Sequence, residues 1–210
     1  MKIFVVGGMV GYAIFLEGAE IVDNMEEADV VLFTGGEDVT PSLYGCKKHS
    51  TTYCNPNRDR EEKEVFNKIR EDQLALGICR GSQFLCVMNG GLLVQNVFGH
   101  ALGRTHAISD GKMAYHITST HHQMQYPFNL NAEDYDILFR SFNQLSAEYE
   151  GDKIEASKLL ENGEPEIVLY HKEGFPKCLA VQGHPEMIPE SPVAKMISNL
   201  VNSLVYDANK

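Results

Sequence analysis

The chain has 210 residues, of which 43% are hydrophobic and 22% charged, and its formal net charge is −11. This length and balance are typical of one globular domain, which we expect to span residues 1–210. Such a negative charge argues against nucleic acid or an anionic membrane surface as the main partner. No stretch approaches the roughly 18 apolar residues that a membrane span needs.

The cysteines and the N-terminus indicate where the protein works. The five cysteines are odd in number and include no Cys-x-x-Cys pair, which disfavours both a disulfide framework and a structural zinc site. The apolar run at residues 3–6 is too short for a signal peptide. We therefore expect a cytoplasmic protein.

Strand and helix patterns alternate along the first part of the chain. β-rich runs at residues 3–6 and 29–33 predict strands, and turn-forming residues predict a surface loop over residues 41–58. From Asp59 onward, early acidic residues and a narrow apolar stripe predict a helix. Strands that alternate with helices indicate a parallel sheet with right-handed crossovers.

Two adjacent glycines, Gly35 and Gly36, directly follow the strand predicted at residues 29–33. Glycines just past a strand end let the backbone turn so that N–H groups face a ligand. Donors in an oxyanion hole need this placement. An ordinary Gly-Gly turn explains the same pattern, and the strand context alone favours that simpler interpretation.

The most informative stretch surrounds Cys79. Apolar residues at 74–78 predict a buried strand, and residues 83–88 predict a buried helix. Between them, residues 77–81 read Gly-x-Cys-x-Gly, the pattern of a nucleophile elbow, in which a Cβ on either glycine would collide with strand or helix. Such a turn presents the sulfur at the sheet edge and aims helix N–H groups at it, which favours the thiolate. A buried structural cysteine is the alternative.

After residue 90 the pattern changes to short strands. Residues 92–94 predict a strand, residues 98–111 a loop containing glycine and histidine, and residues 114–118 a half-exposed strand. Three further runs are interpreted together as an antiparallel extension: residues 136–139, 153–160 and 166–170. The predicted fold class is α/β, with a mostly parallel central sheet flanked by helices (a flavodoxin-like three-layer sandwich) and a small antiparallel extension.

The last predicted strand, residues 179–183, ends in a histidine, a proline and a glutamate. In an extended segment, side chains two positions apart share a face, so the Glu186 carboxylate can reach the His184 ring. A histidine oriented by a carboxylate is the base of a Cys–His–acid system. The alternative is a capped strand end with an incidental surface pair. An N-cap at Ser191, Pro192 and an apolar stripe then predict a final helix packed on the sheet.

Taken together, these segments resemble the class I glutamine amidotransferase superfamily. The resemblance is closest to its γ-glutamyl hydrolase-like branch, which includes γ-glutamyl-γ-aminobutyrate hydrolases. It rests on blocks that come in family order between residues 35 and 186: GGEDVTPSLYG at 35–45, RD at 58–59, GICRGSQ at 77–83, STHHQ at 119–123 and GHPE at 183–186.

The resemblance implies a catalytic role for each matching residue. Cys79 would attack the γ-carbonyl of a γ-glutamyl amide. His184 would act first as base and then as acid, with Glu186 orienting its ring. The backbone N–H groups of Gly36 and Arg80 would form the oxyanion hole.

The resemblance also implies how a small γ-glutamyl substrate is held. Gln83 and the backbone around Ser119 and Thr120 would bind the glutamyl amino and carboxylate ends, and His121 would form part of the pocket wall. No metal or organic cofactor is implied, because a thiolate system needs none.

Several functions remain open on the sequence. A stand-alone hydrolase would release glutamate and an amine from a γ-glutamyl amide through a thioester on Cys79. A glutaminase subunit would instead pass ammonia to a synthase on a separate chain. A non-catalytic binding module and a broad peptidase are further alternatives. The intact Cys79, His184 and Glu186 argue against a binding module.

Overall fold

The structure is a computed structural model that describes residues 1–208 and, of Leu102, Asp207 and Ala208, the backbone alone. The last two residues of the predicted domain 1–210 lie outside the described part. The strands are β1 (Lys2–Val5), β2 (Glu20–Ile21), β3 (Val30–Phe33), β4 (Leu74–Ile78), β5 (Leu92–Val94), β6 (Asn96–Val97), β7 (Ala101–Ser109), β8 (Ala114–Thr120), β9 (Met124–Tyr126), β10 (Tyr135–Ser141), β11 (Tyr149–Glu150), β12 (Pro165–Tyr170) and β13 (Cys178–Val181). The α-helices are α1 (Pro56–Phe66), α2 (Arg80–Met88), α3 (Ala156–Asn162) and α4 (Pro192–Ala208).

One large sheet organises these elements, with the strand order β2-β1-β3-β4-β13-β12-β10-β7-β8. The strands from β2 to β13 in this order are parallel. From β13 onward the pairings are antiparallel. The predicted α/β class is therefore confirmed. The antiparallel strands continue the central sheet, because β12 pairs directly with β13.

Strand β4 lies in the middle of the sheet and is buried on both faces. Leu74, Leu76 and Ile78 pack with α4 residues in one core cluster. Ala75 packs on the opposite face with Phe84 and other residues of α1 and α2. Since alternate strand residues face opposite sides, helices cover both faces and the protein has the predicted three layers. Ser191 accepts a hydrogen bond from the Ala194 N–H at 3.2 Å, which caps α4 as predicted.

Three predicted elements need correction. Segment 98–111 is not a loop, because β7 forms an antiparallel hairpin with β8 along most of its length; glycines masked the alternation of its sequence. Residues 153–160 do not form a strand, since α3 occupies Ala156–Asn162 and ends before Gly163, whose φ is 78°. Helix α1 begins at Pro56, before the predicted start, because the Asn55 side chain caps its first N–H groups.

Helix length and hydropathy also bear on membrane insertion. Across the described part of the chain, no helix combines the length and apolar character required to cross a bilayer.

Candidate active site

Cys79 occupies the turn between β4 and α2, in a backbone conformation that is rare for a side-chain-bearing residue. Its φ is 53° and its ψ is −108°, outside the regions that L-residues favour. The two flanking glycines make this turn possible. A Cβ on Gly77 would strike the carbonyl group of Gly81, and a Cβ on Gly81 would strike the backbone of Phe33. The predicted collision with helix and strand is thus present, and the turn has the geometry of a nucleophile elbow.

His184 lies beside this turn because β13 is the neighbour of β4. The Cys79 N–H donates to the Val181 carbonyl at 2.8 Å, which holds the two strand ends together. The His184 N–H donates to the Thr118 hydroxyl at 2.6 Å. His184 Nδ1 lies 2.6 Å from Glu186 Oε1. The structure therefore brings His184 and Glu186 into contact.

The backbone route to this contact differs from the prediction. Residues Pro185–Met187 form a turn of 3-10 helix, whereas the sequence predicts an extended segment. Pro185 fits the first position of such a turn, since its φ is already fixed near the helical value. The turn brings Glu186 back toward the ring, so the same two side chains meet through a tighter backbone.

The pKa of His184 depends on its neighbours Cys79 and Glu186. Burial lowers the pKa of His184, but hydrogen bonds and charge interactions with Cys79 and Glu186 overcome it and raise this pKa to about 10. The ring is therefore an imidazolium at neutral pH, between a carboxylate and the sulfur. A cation beside a cysteine stabilises the thiolate, which is the nucleophilic form. His184 is only 7% exposed, so water screens the pair weakly.

The glycine pair follows β3 and approaches the same turn. A Cβ on Gly35 would lie 3.0 Å from Cε1 of His184, and Gly36 has a φ of 143°. A Cβ on Gly36 would collide with the guanidinium of Arg58. Arg58 donates to the Gly35 carbonyl at 3.0 Å and to the Thr34 carbonyl at 3.2 Å. This arginine therefore holds the loop in a conformation open only to glycine.

The two backbone N–H groups that the resemblance assigns to an oxyanion hole are both free. Within residues 1–208, neither the Gly36 N–H nor the Arg80 N–H has a hydrogen-bond acceptor. Gly36, Arg80 and Cys79 line one pocket of about 170 Å³. Stabilisation of a tetrahedral oxyanion needs two free donors, and the assignment of this role to Gly36 and Arg80 stays a prediction.

The predicted substrate-binding residues divide into two groups. Gln83, Thr120 and His121 line the pocket with Cys79. The Gln83 side chain donates to the Gln123 carbonyl at 2.9 Å. Ser119 is not part of the pocket wall: it is 1% exposed, and its hydroxyl donates to the His100 carbonyl at 2.6 Å. Its side chain thus supports the wall from behind.

The structure adds site residues that sequence reasoning missed. Tyr12 packs beside His184, with ring centroids 6.1 Å apart. Burial and the nearby charges of Glu186 and Cys79 raise the pKa of Tyr12. His122 lines the pocket, and its Nε2 lies 3.0 Å from Oδ1 of Asp38, a further wall residue. Asp38 and His122 lie in the sequence blocks that resemble the glutamine amidotransferase superfamily, and no other pattern pointed to them. Tyr12 lies in a segment that has no such resemblance.

Comparisons with known proteins agree with this architecture. A family model described as Peptidase C26 matches residues 3–186. The chain is 34% identical over 93 residues to "Putative glutamine amidotransferase-like protein YvdE homolog" of Lactococcus lactis subsp. cremoris, covering 41% of this chain and 50% of that protein. It is 34% identical over 82 residues to a "Putative glutamine amidotransferase" of Mycobacterium tuberculosis, covering 37% of this chain and 27% of that protein. The chain thus spans half or less of the length of these relatives.

Two solved structures show the same fold at low sequence identity. The crystal structure of a putative GMP synthase subunit from Thermoplasma acidophilum has a TM-score of 0.63 at 16% identity, covering 100% of this chain and 96% of that chain. A glutamine amidotransferase from Thermotoga maritima has a TM-score of 0.51 at 15% identity, covering 99% and 95%. Since the family model matches the chain from β1 to the segment that carries His184 and Glu186, the protein belongs to the peptidase C26 family and has the fold of glutamine amidotransferases.

Proposed function

We propose that the protein is a cysteine-dependent hydrolase that cleaves γ-glutamyl amide bonds, with Cys79 as nucleophile and His184 and Glu186 as its partners. The observation that carries this proposal is the strained turn at Cys79, whose sulfur interacts with an imidazolium that contacts Glu186. A buried structural cysteine would need neither the strain nor the charged partner. Membership of a peptidase family supports hydrolysis as the reaction class.

The chemistry follows from the residues present. The Cys79 thiolate attacks the γ-carbonyl, and the oxyanion that forms accepts from the N–H groups of Gly36 and Arg80. His184 gives its proton to the departing amine, which leaves a γ-glutamyl thioester on Cys79. The neutral ring then takes a proton from water as the water attacks the thioester. Glutamate leaves, and the thiolate–imidazolium pair is restored.

Substrate selection is assigned to the pocket wall next to the sulfur. Gln83 and the backbone around Ser119 and Thr120 would bind the amino and carboxylate ends of the glutamyl group, with His121 as a wall. The γ-glutamyl specificity rests on the sequence blocks that resemble the γ-glutamyl hydrolase-like branch. A pocket of about 170 Å³ suits the amino-acid part of a small substrate better than a folded protein.

A glutaminase subunit that passes ammonia to a separate synthase is the second candidate. The likeness to a structure described as a putative GMP synthase subunit favours it, although that likeness concerns the fold. The two candidates differ in what the isolated chain does. A hydrolase turns over γ-glutamyl amides with extended amines unaided, whereas a glutaminase of a synthase complex uses glutamine and is sluggish without its partner.

A turnover screen tests both candidates. Purified wild type, Cys79→Ala and Cys46→Ala would be assayed for glutamate release from glutamine, from γ-glutamyl amides of several amines and from matching α-glutamyl amides. We expect wild type and Cys46→Ala, which loses a different half-buried thiol, to release glutamate from extended γ-glutamyl amides. Cys79→Ala should be inactive. Equal activity of Cys79→Ala would refute the nucleophile, and activity on glutamine alone would favour the second candidate.

The alkaline limit of activity provides a further expectation. Proton donation to the amine needs the imidazolium form of His184, whose pKa is raised to about 10. We therefore expect kcat/KM to stay high up to about pH 10 and to fall above it. In Glu186→Gln one interaction that raises the pKa of His184 is lost. The pH at which kcat/KM falls on the alkaline side should therefore move down by about one pH unit or more. The measurement is kcat/KM against pH for both proteins, and an unmoved limb would show that Glu186 does not act on His184.

A further inference from the structure

A group of buried ionisable side chains lies behind the pocket wall and takes no part in the proposed chemistry. We call it the inner cluster, and it consists of His100, His106, His121, Glu164 and Glu166. Each is 9% exposed or less, and four of them are 4% exposed or less. His106 lies in β7 and Glu166 in β12, while the other three directly flank strands: His100 precedes β7, His121 follows β8 and Glu164 precedes β12. His121 belongs both to the inner cluster and to the pocket wall.

Three members converge on a single point. His106 Nε2 lies 2.7 Å from Glu166 Oε1, and His100 Nδ1 lies 3.7 Å from the same oxygen. One ligand atom from each of these three residues lies within 4.8 Å of the others. Donors held about 2.1 Å from a tetrahedral ion are about 3.4 Å apart, so these separations suit the coordination of one small cation.

The cluster contains more polar atoms than its protein neighbours satisfy. Among residues 1–208, no well-aligned hydrogen bond reaches either ring nitrogen of His100, Nδ1 of His106, Nε2 of His121 or Oε2 of Glu166. A buried polar atom without a partner costs roughly 1–3 kcal/mol. A cation at the point where the three residues converge would take the lone pair of His100 Nδ1, one of these unpartnered atoms.

The charges of the cluster also point to a cation. Glu164 and Glu166 are both fully buried. Within the described residues, their ion-pair partners are histidines, and no lysine or arginine pairs with either carboxylate. With neutral histidines the two carboxylates leave a buried charge of about −2. Hydrogen bonds from neutral donors stabilise both carboxylates without cancelling this charge. A divalent ion would balance it.

The surroundings orient His100 as ligands are oriented in known metal sites. Glu164 Oε2 lies 3.2 Å from Nε2 of His100, so a carboxylate stands behind the nitrogen opposite the one that faces Glu166. Carboxylates and carbonyls in this position fix the tautomer and direction of ligating histidines.

We propose that His100, His106 and Glu166 bind one divalent transition-metal ion, zinc by the chemistry of its donors. Two imidazoles and a carboxylate suit zinc, which imposes little geometric preference of its own. The ion ties β7 and the segment before it to β12. It also fixes His100, whose carbonyl accepts from Ser119 and whose ring lies 4.6 Å from that of His121. The metal thereby stiffens the pocket wall without touching the reacting atoms.

The test measures metal binding in protein that lacks the active-site thiol, so its result is independent of the proposed hydrolysis. In a Cys79→Ser background, zinc affinity would be measured by competition with a chromophoric chelator. We expect one zinc per chain and a rise in the thermal midpoint on adding zinc. His106→Gln and Glu166→Gln, each in that background, should weaken binding by about 100-fold or more. His116→Gln should bind as the background does, because His116 is exposed on the paired strand β8.

A spectroscopic measurement covers the case in which a cluster variant fails to fold. X-ray absorption at the zinc edge of the Cys79→Ser protein should show nitrogen and oxygen ligands alone, at about 2.0–2.2 Å. Uptake of less than one zinc per chain at micromolar free metal would overturn the proposal. Sulfur ligation, or zinc affinity unchanged in both His106→Gln and Glu166→Gln, would overturn it equally.

Discussion

Replacing His184 with glutamine is expected to lower kcat/KM on the best γ-glutamyl amide by about 10⁴-fold. His184 contacts Glu186 at 2.6 Å and interacts with Cys79, so the substitution removes both the cation that favours the thiolate and the proton that the amine needs. Glutamine keeps the volume and some polarity, which limits the disturbance of the fold. The rate of Cys79 alkylation at neutral pH should fall in parallel, and this can be measured without any substrate.

His171→Gln is the matched control for that substitution. His171 also pairs with a carboxylate, with its Nε2 3.1 Å from Oδ2 of Asp136, but it is half-buried and lies outside the pocket. We expect its kcat/KM to stay within about twofold of wild type, since surface pairs contribute little. If His184→Gln kept a tenth of wild-type activity with normal alkylation of Cys79, the assigned base would be wrong.

The part of the site that could be predicted depends on short-range patterns. The turn at Cys79 follows from glycines two positions away on each side, and the structure shows the collisions that require them. The contact between His184 and Glu186 was also predictable, because it spans two positions. The backbone conformation between the two residues was not predictable, since both an extended segment and a 3-10 turn bring residues at this spacing together. Tyr12 reaches His184 only through tertiary folding, which no local pattern encodes.

The fold shows the same division between local and distant determinants. The apolar run of β4 and the capped, periodic α4 were predicted because each pattern repeats several times. The strand β7 was missed because its own sequence alternates weakly, although it forms a hairpin with the predicted strand β8. Helix α3 is too short for a helical period to be distinguished from alternation. The early acidic residues of α1 predicted a helix start, but no local pattern predicted that Asp59 and Glu62 would be buried, at 1% and 4% exposed.

The partner of these two buried acids explains why they are there. Arg80 is 1% exposed, and its guanidinium pairs with Asp59 through one nitrogen and with Glu62 through another. Arg58 binds the other oxygen of Glu62 at 2.8 Å and also the loop that carries Gly36. The network therefore connects the first turn of α2, which follows Cys79, to the glycine loop across α1. Both proposed oxyanion donors are positioned by one set of buried charges.

Removing one charge from this network is expected to destabilise the fold strongly. In Arg80→Met the backbone N–H of residue 80 stays in place, but Asp59 loses its cation while its other oxygen still accepts from the Thr40 N–H at 2.9 Å. An unpaired buried charge costs about 3–5 kcal/mol of unfolding free energy, to be measured by urea denaturation at neutral pH. Arg70→Met, which breaks the exposed pair with Asp72, should cost less than about 1 kcal/mol.

Adding Asp59→Asn to Arg80→Met should recover part of the lost stability, because the neutral amide no longer needs a cation. Equal, small losses for Arg80→Met and Arg70→Met would mean that the network does not hold the two halves of the site together.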